Sequence, residues 1–181
     1  SIFYLSKTVV NLVYKEVGWG VILKHKKTNA MRMLDRAKIE YSVNTFEIGE
    51  EHLDGETIAE LVRENVKDVY KTLVLENANH NHFVCVIPVS ETLDLKEAAH
   101  VIGEKKLNLM PMDDLKQVTG YIRGGCSPIG MKHSFPTIID ESALSREKIY
   151  VSGGQRGMQI ILKTNDLIAI TKAQIAHITQ N

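Results

Sequence analysis

The chain has 181 residues with 22 basic and 22 acidic side chains, so its formal net charge is zero, and 44% of its residues are hydrophobic. That is enough chain for one properly buried core, with the composition of an ordinary globular domain. The charge balance excludes a protein that coats nucleic acid by bulk electrostatics, but not one that recognises an RNA end in a small pocket.

In chain order, residues 1–27 differ in composition from the remainder of the chain. They read as an N-terminal extension, not native or not functional, ahead of a domain at 28–181. Ile2 to Val13 is apolar but short and interrupted by Lys7. It is too short for a membrane span and lacks the features of a signal peptide, which leaves the cytoplasm as the default location. Thr28 suits the N-cap of a helix with Met31, Leu34 and Ala37 on its apolar face. Ile39 to Ile48 alternates like a strand. Asp54-Gly55 reads as a turn and Glu56 to Asn65 as a helix. Val69 to Leu75 and Phe83 to Val89 read as a hairpin, and Leu93 to Ile102 as a helix closed by Gly103. Leu107 to Met110 is a short strand ended by Pro111. A short helix runs from Asp113 to Gly120. Thr137 to Ile139, Ile149 to Val151 and Met158 to Leu162 are strands, with a turn capped by Ser145 between the first two. Thr164 caps a helix over Leu167 to Ala173, with Gln174 to Thr179 as a last turn. The intermixed elements, without a strict βαβ rhythm, predict an α+β fold: a single domain with a mixed sheet flanked by helices.

Two glycine clusters stand out against this background. Gly120 to Lys132 packs four glycines, a proline and two cations into one loop, and Ser152-Gly153-Gly154-Gln155-Arg156-Gly157 follows a strand. Such density suggests backbone brought close to something else. Neither is a nucleotide loop. The first reads Gly-x-x-x-x-Gly-Met-Lys, with no Ser or Thr after the lysine, and the second has the wrong spacing for a dinucleotide fingerprint. Two cysteines offer neither a disulfide framework nor a metal set. His80 and His82 are the one closely spaced histidine pair, too few ligands for zinc. No metal or cofactor is expected.

Among single residues, Cys126 has Arg123 and His133 near it in sequence, but a nucleophilic cysteine needs a base and an electropositive setting. A small packing residue is the commoner role. Cys85 sits in an apolar run and reads as core. Ser127 precedes a proline and reads as a turn former. Ser152, at a strand end beside two glycines, is better placed to bind a ligand. Lys71, entering an otherwise apolar strand, is either a solvent-facing lysine or a cation beside a pocket.

Tyr70-Lys71-Thr72-Leu73, Thr119 to Gly130, Pro136 to Asp140 and Tyr150 to Gly157 together resemble the YbaK family of bacterial aminoacyl-tRNA deacylases, which is similar to the editing domain of bacterial prolyl-tRNA synthetases. The likeness runs from Asn29 to the C-terminus. It implies a partly barrel-like sheet and trans-editing: removal of cysteine from the 3′ end of mischarged tRNA(Pro) or of tRNA(Cys). The neutral charge of the chain predicts weak affinity for tRNA alone, and with it a ternary complex with prolyl-tRNA synthetase. By motif match, Lys71 takes the place of the essential family lysine, and Gly124 lies in the loop that meets the aminoacyl group. Phe46, Thr72, Gly125, Ser152 and Arg156 fall around the substrate. Phe46 stands where a tyrosine is expected, and Gln159 where an aspartate is. The resemblance also implies substrate-assisted chemistry, in which the cysteine thiol attacks its own ester and the protein supplies positioning and preorganised donors. Two alternatives stay open: deacylation of Ala-tRNA(Pro) or another small mischarged amino acid, and a non-catalytic module binding a tRNA end or a synthetase.

Overall fold

The computed structural model describes residues 26–45 and 66–181. The expected turn at Asp54-Gly55, the helix over Glu56 to Asn65, Phe46 and residues 1–25 lie outside the described residues.

Helix α1 (Asn29–Arg36) starts where its cap dictates. The Met31 amide donates to Thr28 Oγ1 at 3.3 Å, while that hydroxyl donates to the Gly153 carbonyl at 2.6 Å. One threonine therefore both caps the helix and fastens it to the second glycine cluster. The buried stripe is Ala30, Met31 and Leu34; Ala37, expected inside, is exposed, because the helix ends before its turn comes round to the core. Strand β1 (Tyr41–Thr45) follows, with Tyr41 and Val43 buried.

The hairpin forms as its alternation predicts: β2 (Tyr70–Glu76) pairs antiparallel with β3 (His82–Pro88), Lys71 opposite Ile87 and Val74 opposite Val84. From Phe83 to Pro88, β3 is buried throughout, since it lies mid-sheet and is covered on both faces. Helix α2 (Leu95–Ile102) is capped by Asp94, whose side chain accepts from the Glu97 amide, and is closed by Gly103 at φ 90°. Strand β4 (Asn108–Leu109) and helix α3 (Leu115–Thr119) precede the first glycine loop, and Gly120 closes α3 at φ 84°. Strand β5 (Thr137–Asp140), a 3-10 turn (Glu141–Ser145), β6 (Lys148–Ser152), β7 (Met158–Lys163), α4 (Thr164–Thr171) and β8 (Gln174–Ala176) complete the described chain.

Three local expectations are corrected. Asp140, not Ser145, caps the 3-10 turn by accepting from the Ser142 amide. Thr164 begins α4 but does not cap it, because its hydroxyl donates to the Arg146 carbonyl instead. Gln174 to Ala176 is no helical turn: a left-handed Lys172 ends α4, and the chain then pairs parallel with β5. That edge position comes from long-range pairing, which local patterning does not reveal.

Among the described residues the strands form two sheets rather than one. The first is three-stranded, in the order β1-β7-β6, and antiparallel throughout; the second is five-stranded, in the order β4-β2-β3-β5-β8, and mixed. Among the described residues they meet at a single parallel bridge, Val69 to Tyr150, and do not close into a barrel. The α+β class stands, with the barrel-like closure reduced to that seam. The main apolar core lies between the inner faces, where Tyr70, Val84, Val86 and Ile139 meet Val43, Val151, Ile160 and Leu162. On the outer side of the five-stranded sheet, Leu75, Cys85 and Ile87 pack with Ala98 and Ala99 of α2.

Candidate active site

Strand registers place the polar residues that the core leaves out. On the three-stranded sheet, Val43, Ile160 and Val151 point inward, so their neighbours point outward. Asn44 pairs with Gln159, and Gln159 with Ser152, which makes a polar row across all three strands on the outer face. The bridge carries this face onto β2. Val69 and Tyr150 share a side, so two residues further on Lys71 and Ser152 share it too, at a point where β2 has lost the company of β4, which pairs only Leu75 and Glu76. Thr72 looks the other way with Tyr70 and Val74, toward the side where Cys126 and Met131 pack; its hydroxyl is buried and has no hydrogen-bond partner.

Gln159 is the residue that sequence reasoning left out of the site. It is 6% exposed, and its Oε1 is buried with no hydrogen-bond partner among the described residues. A buried acceptor left unpaired costs about 1–3 kcal/mol, so it calls for an explanation, and a ligand donor is one. The signal available in sequence was a polar residue in the apolar run Met158 to Leu162. Ser152 is half-buried, and its hydroxyl accepts from the Gly154 amide at 3.3 Å, which orients it and leaves its own proton to donate.

The two glycine clusters touch. A Cβ on Gly125 would lie 3.0 Å from the Arg156 nitrogen and from the Gln155 carbonyl carbon, and one on Gly154 would lie 2.9 Å from Tyr121 Cε1. Gly130, at φ 76°, backs onto α1: a Cβ there would come within 2.7 Å of the Asn29 carbonyl carbon. Packing of one loop on the other and on α1 therefore accounts for much of the glycine density. Gly124 is different, exposed at φ 79° on a turn. The turn is closed by the Gly125 amide donating to the Ile122 carbonyl at 2.9 Å, so that amide is engaged and not available to a substrate.

The loop is stiff. Tyr121 donates its hydroxyl to the Ile129 carbonyl at 2.6 Å, the Lys132 amide bonds the Thr119 carbonyl, and the buried Ser127 hydroxyl accepts from the Ile129 amide, the turn-forming role its sequence context suggested. Cys126 packs beside Val74, Met110 and Leu115, and burial pushes its thiol up to about 12. A thiol so held is no nucleophile near neutral pH. Cys85, fully buried, is likewise pushed up to about 12 by desolvation. His80 and His82 both turn toward the Glu76 carboxylate, 3.6 and 3.4 Å away.

Ser152, Gln159 and Asn44 thus form one surface, with Lys71 on the same side and the Gly124 turn reaching it through Gln155 and Arg156. A separate cavity of about 420 Å³, lined by Glu91, Asp140, Glu141 and His177 among others, lies at the C-terminal end. Asp140 there has a structural task, since its two oxygens accept from the Ser142 and Ile178 amides. Among the described residues no helix is long and apolar enough to cross a membrane.

Comparison with known proteins agrees with this architecture. Residues 51–170 match the family model described as an aminoacyl-tRNA editing domain. The chain is 44% identical over 154 residues to EbsC of Enterococcus faecalis, a candidate Cys-tRNA(Pro)/Cys-tRNA(Cys) deacylase, covering 85% of this chain and 94% of that one. It is 27% identical over 155 residues to the prolyl-tRNA editing protein ProX of Acetoanaerobium sticklandii, covering 81% and 91%. A crystal structure of a candidate trans-editing enzyme for prolyl-tRNA synthetase superposes with a TM-score of 0.73 at 20% identity, over 84% of this chain and 96% of that one, which speaks for the fold. By motif, by fold and by the family model, the chain belongs to the aminoacyl-tRNA editing domain family.

Proposed function

We propose that the chain is a trans-editing deacylase that removes cysteine from mischarged tRNA(Pro), and from tRNA(Cys), in the cytoplasm. The relative named for this activity, at 44% identity over nearly its whole length, is the observation that carries the reading. The outer-face polar row supports it with a physical rationale: it offers hydrogen-bonding groups, while the thiol of the glycine loop, Cys126, is held protonated.

In this reading the substrate supplies its own nucleophile. The cysteinyl sulfur attacks the ester carbonyl carbon, a C–S bond forms, and the C–O bond to the ribose breaks. The thiol proton goes to the departing ribose oxygen, and a cyclic thiolactone leaves. The protein holds the thiol against the carbonyl and meets the developing oxyanion with preorganised donors, the Ser152 hydroxyl and the main chain at Gly124. Lys71 holds the terminal adenosine or its phosphate, Gln159 Oε1 accepts from a donor on the bound 3′ end, and Gly125 and Arg156 shape the pocket around it, while Thr72, on the opposite face of the strand, backs Lys71 from the core side. A chain of zero net charge does not gather tRNA over long range, which favours a ternary complex with prolyl-tRNA synthetase as the source of substrate.

The test is a deacylation panel with Cys-, Ala- and Pro-charged tRNA(Pro), together with an analogue of the cysteinyl ester lacking the thiol. Only the cysteinyl ester should be released rapidly, and Lys71→Ala should lower that rate by about two orders of magnitude or more. Rapid cleavage of the thiol-free analogue would defeat self-attack in favour of water and a broader small-amino-acid deacylase. Near-normal activity of the lysine variant would remove Lys71 from the site.

A further inference from the structure

Positive charge is unevenly distributed in this neutral chain. From Leu115 to Ile139 there is no aspartate or glutamate, and from Lys148 to Lys163 there is none either, although the chain carries as many acids as bases. These two acid-free stretches hold the two glycine clusters, and the structure packs them together and against the start of α1, at Gly125 on Gln155, Gly154 on Tyr121 and Thr28, and Gly130 on Asn29. The adjoining face of α1 adds Arg32 and Arg36, one turn apart and both exposed. Arg123 and Lys132, from the first glycine loop, are exposed as well. The acid that α1 does carry, Asp35, is taken up by Lys27 and the Tyr41 hydroxyl.

Arg32 is held in place. Its guanidinium donates to the Lys27 carbonyl at 2.9 Å and to Asn29 Oδ1 at 2.6 Å, which fixes it over the first turn of α1, beside Tyr121 of the glycine loop. Among the described residues no carboxylate pairs with it. The helix amides beneath are already engaged by Thr28, so the positive character of this surface resides in its side chains.

We propose that Arg32, Arg36, Arg123 and Lys132 form the docking surface for the phosphodiester backbone of the acceptor stem, next to the pocket that takes the aminoacyl end. The proposal rests on the deacylase reading for the identity of the RNA. It turns a neutral protein into a locally cationic one, with attraction confined to about a Debye length around the site. Cations gathered on one face position a strand without reading its bases, which suits an enzyme that acts on the aminoacyl group.

The test compares the wild type with an Arg32→Gln/Arg123→Gln/Lys132→Gln variant in two assays. The first is binding of uncharged tRNA between 50 and 200 mM salt; the second is deacylation of aminoacylated tRNA and of an aminoacyl-adenosine ester. Loss of three phosphate contacts should lower the slope of log affinity against log salt by about 2–3. The variant should raise KM for the tRNA substrate about tenfold or more and leave turnover of the adenosine ester and the melting temperature unchanged. An unchanged salt slope overturns the surface, and so does an equal loss on both esters. If the wild type cleaves neither ester while the slope still falls in the variant, the surface stands and the deacylase reading fails.

Discussion

Gly125→Ala isolates the contact between the two glycine clusters. Gly125 is buried and has no left-handed backbone angle, so alanine carries no conformational penalty there and acts through volume alone. The added methyl would sit 3.0 Å from the Arg156 nitrogen and the Gln155 carbonyl carbon and 3.1 Å from Gln155 Cα, all main-chain atoms, whereas ordinary contact begins at 3.4 Å. The loops must part by about 0.4 Å or more, with no flexible side chain to absorb the shift. Overpacking of this kind costs about 1–3 kcal/mol, and in a chain of this size each kcal/mol lowers the melting temperature by roughly 2–4 °C. The parting also moves the Gly124 turn away from Ser152. Since a 1 Å misplacement costs about a hundredfold in rate, about half of that should cost tenfold or more. Gly120→Ala is the control. It has a φ of 84° and should lose about 1 kcal/mol, but its methyl would meet the Lys132 side chain, which can give way. Thermal melts and single-turnover deacylation of both variants check the argument. A Gly125→Ala protein as stable and as fast as the wild type would refute it, as would an equal loss of rate in the control.

Two further expectations concern side chains. With its thiol pushed up to about 12 from a reference of 9.0, Cys126 should react with iodoacetamide at pH 8 roughly a thousandfold more slowly than a free cysteine, and Cys126→Ser should keep its deacylase rate. Because the folded state holds the protons of Cys85 and Cys126 more tightly than the unfolded state, their contribution to stability is complete below pH 9 and is lost as pH rises toward 12. Denaturant melts across that range should show the decline, and Cys126→Ser should show less of it. Gln159→Leu removes a buried acceptor that has no partner, so the melting temperature should not fall and should rise if the unpaired group costs the usual 1–3 kcal/mol. The deacylation rate should drop all the same; a variant with full activity would take Gln159 out of the site.

Much of the fold was legible because local chemistry and long-range packing agree. The hairpin of β2 and β3, the caps at Thr28 and Gly103, and the stop at Gly120 follow from alternation, a hydroxyl before an apolar stripe, and glycines free to turn left-handed. Where they disagree, tertiary context prevails. Gln174 to Ala176 joins a sheet edge because β5 offers it unpaired backbone, and Thr164 gives up its cap for a carbonyl brought near by the fold.

The sequence by itself determined the family, through ordered motifs at Lys71, Gly120 to Gly130 and Ser152 to Gly157, because those glycines and polar residues follow one another along the chain. Only the tertiary structure decided where each of them sits and what it touches. It assigned Gly125, Gly130 and Gly154 to close packing, engaged the Gly125 amide in a turn, buried Cys126, and aligned Asn44, Gln159 and Ser152 across three strands with Lys71 beyond the seam. Register and burial arise between segments far apart in sequence, so no local pattern carries them.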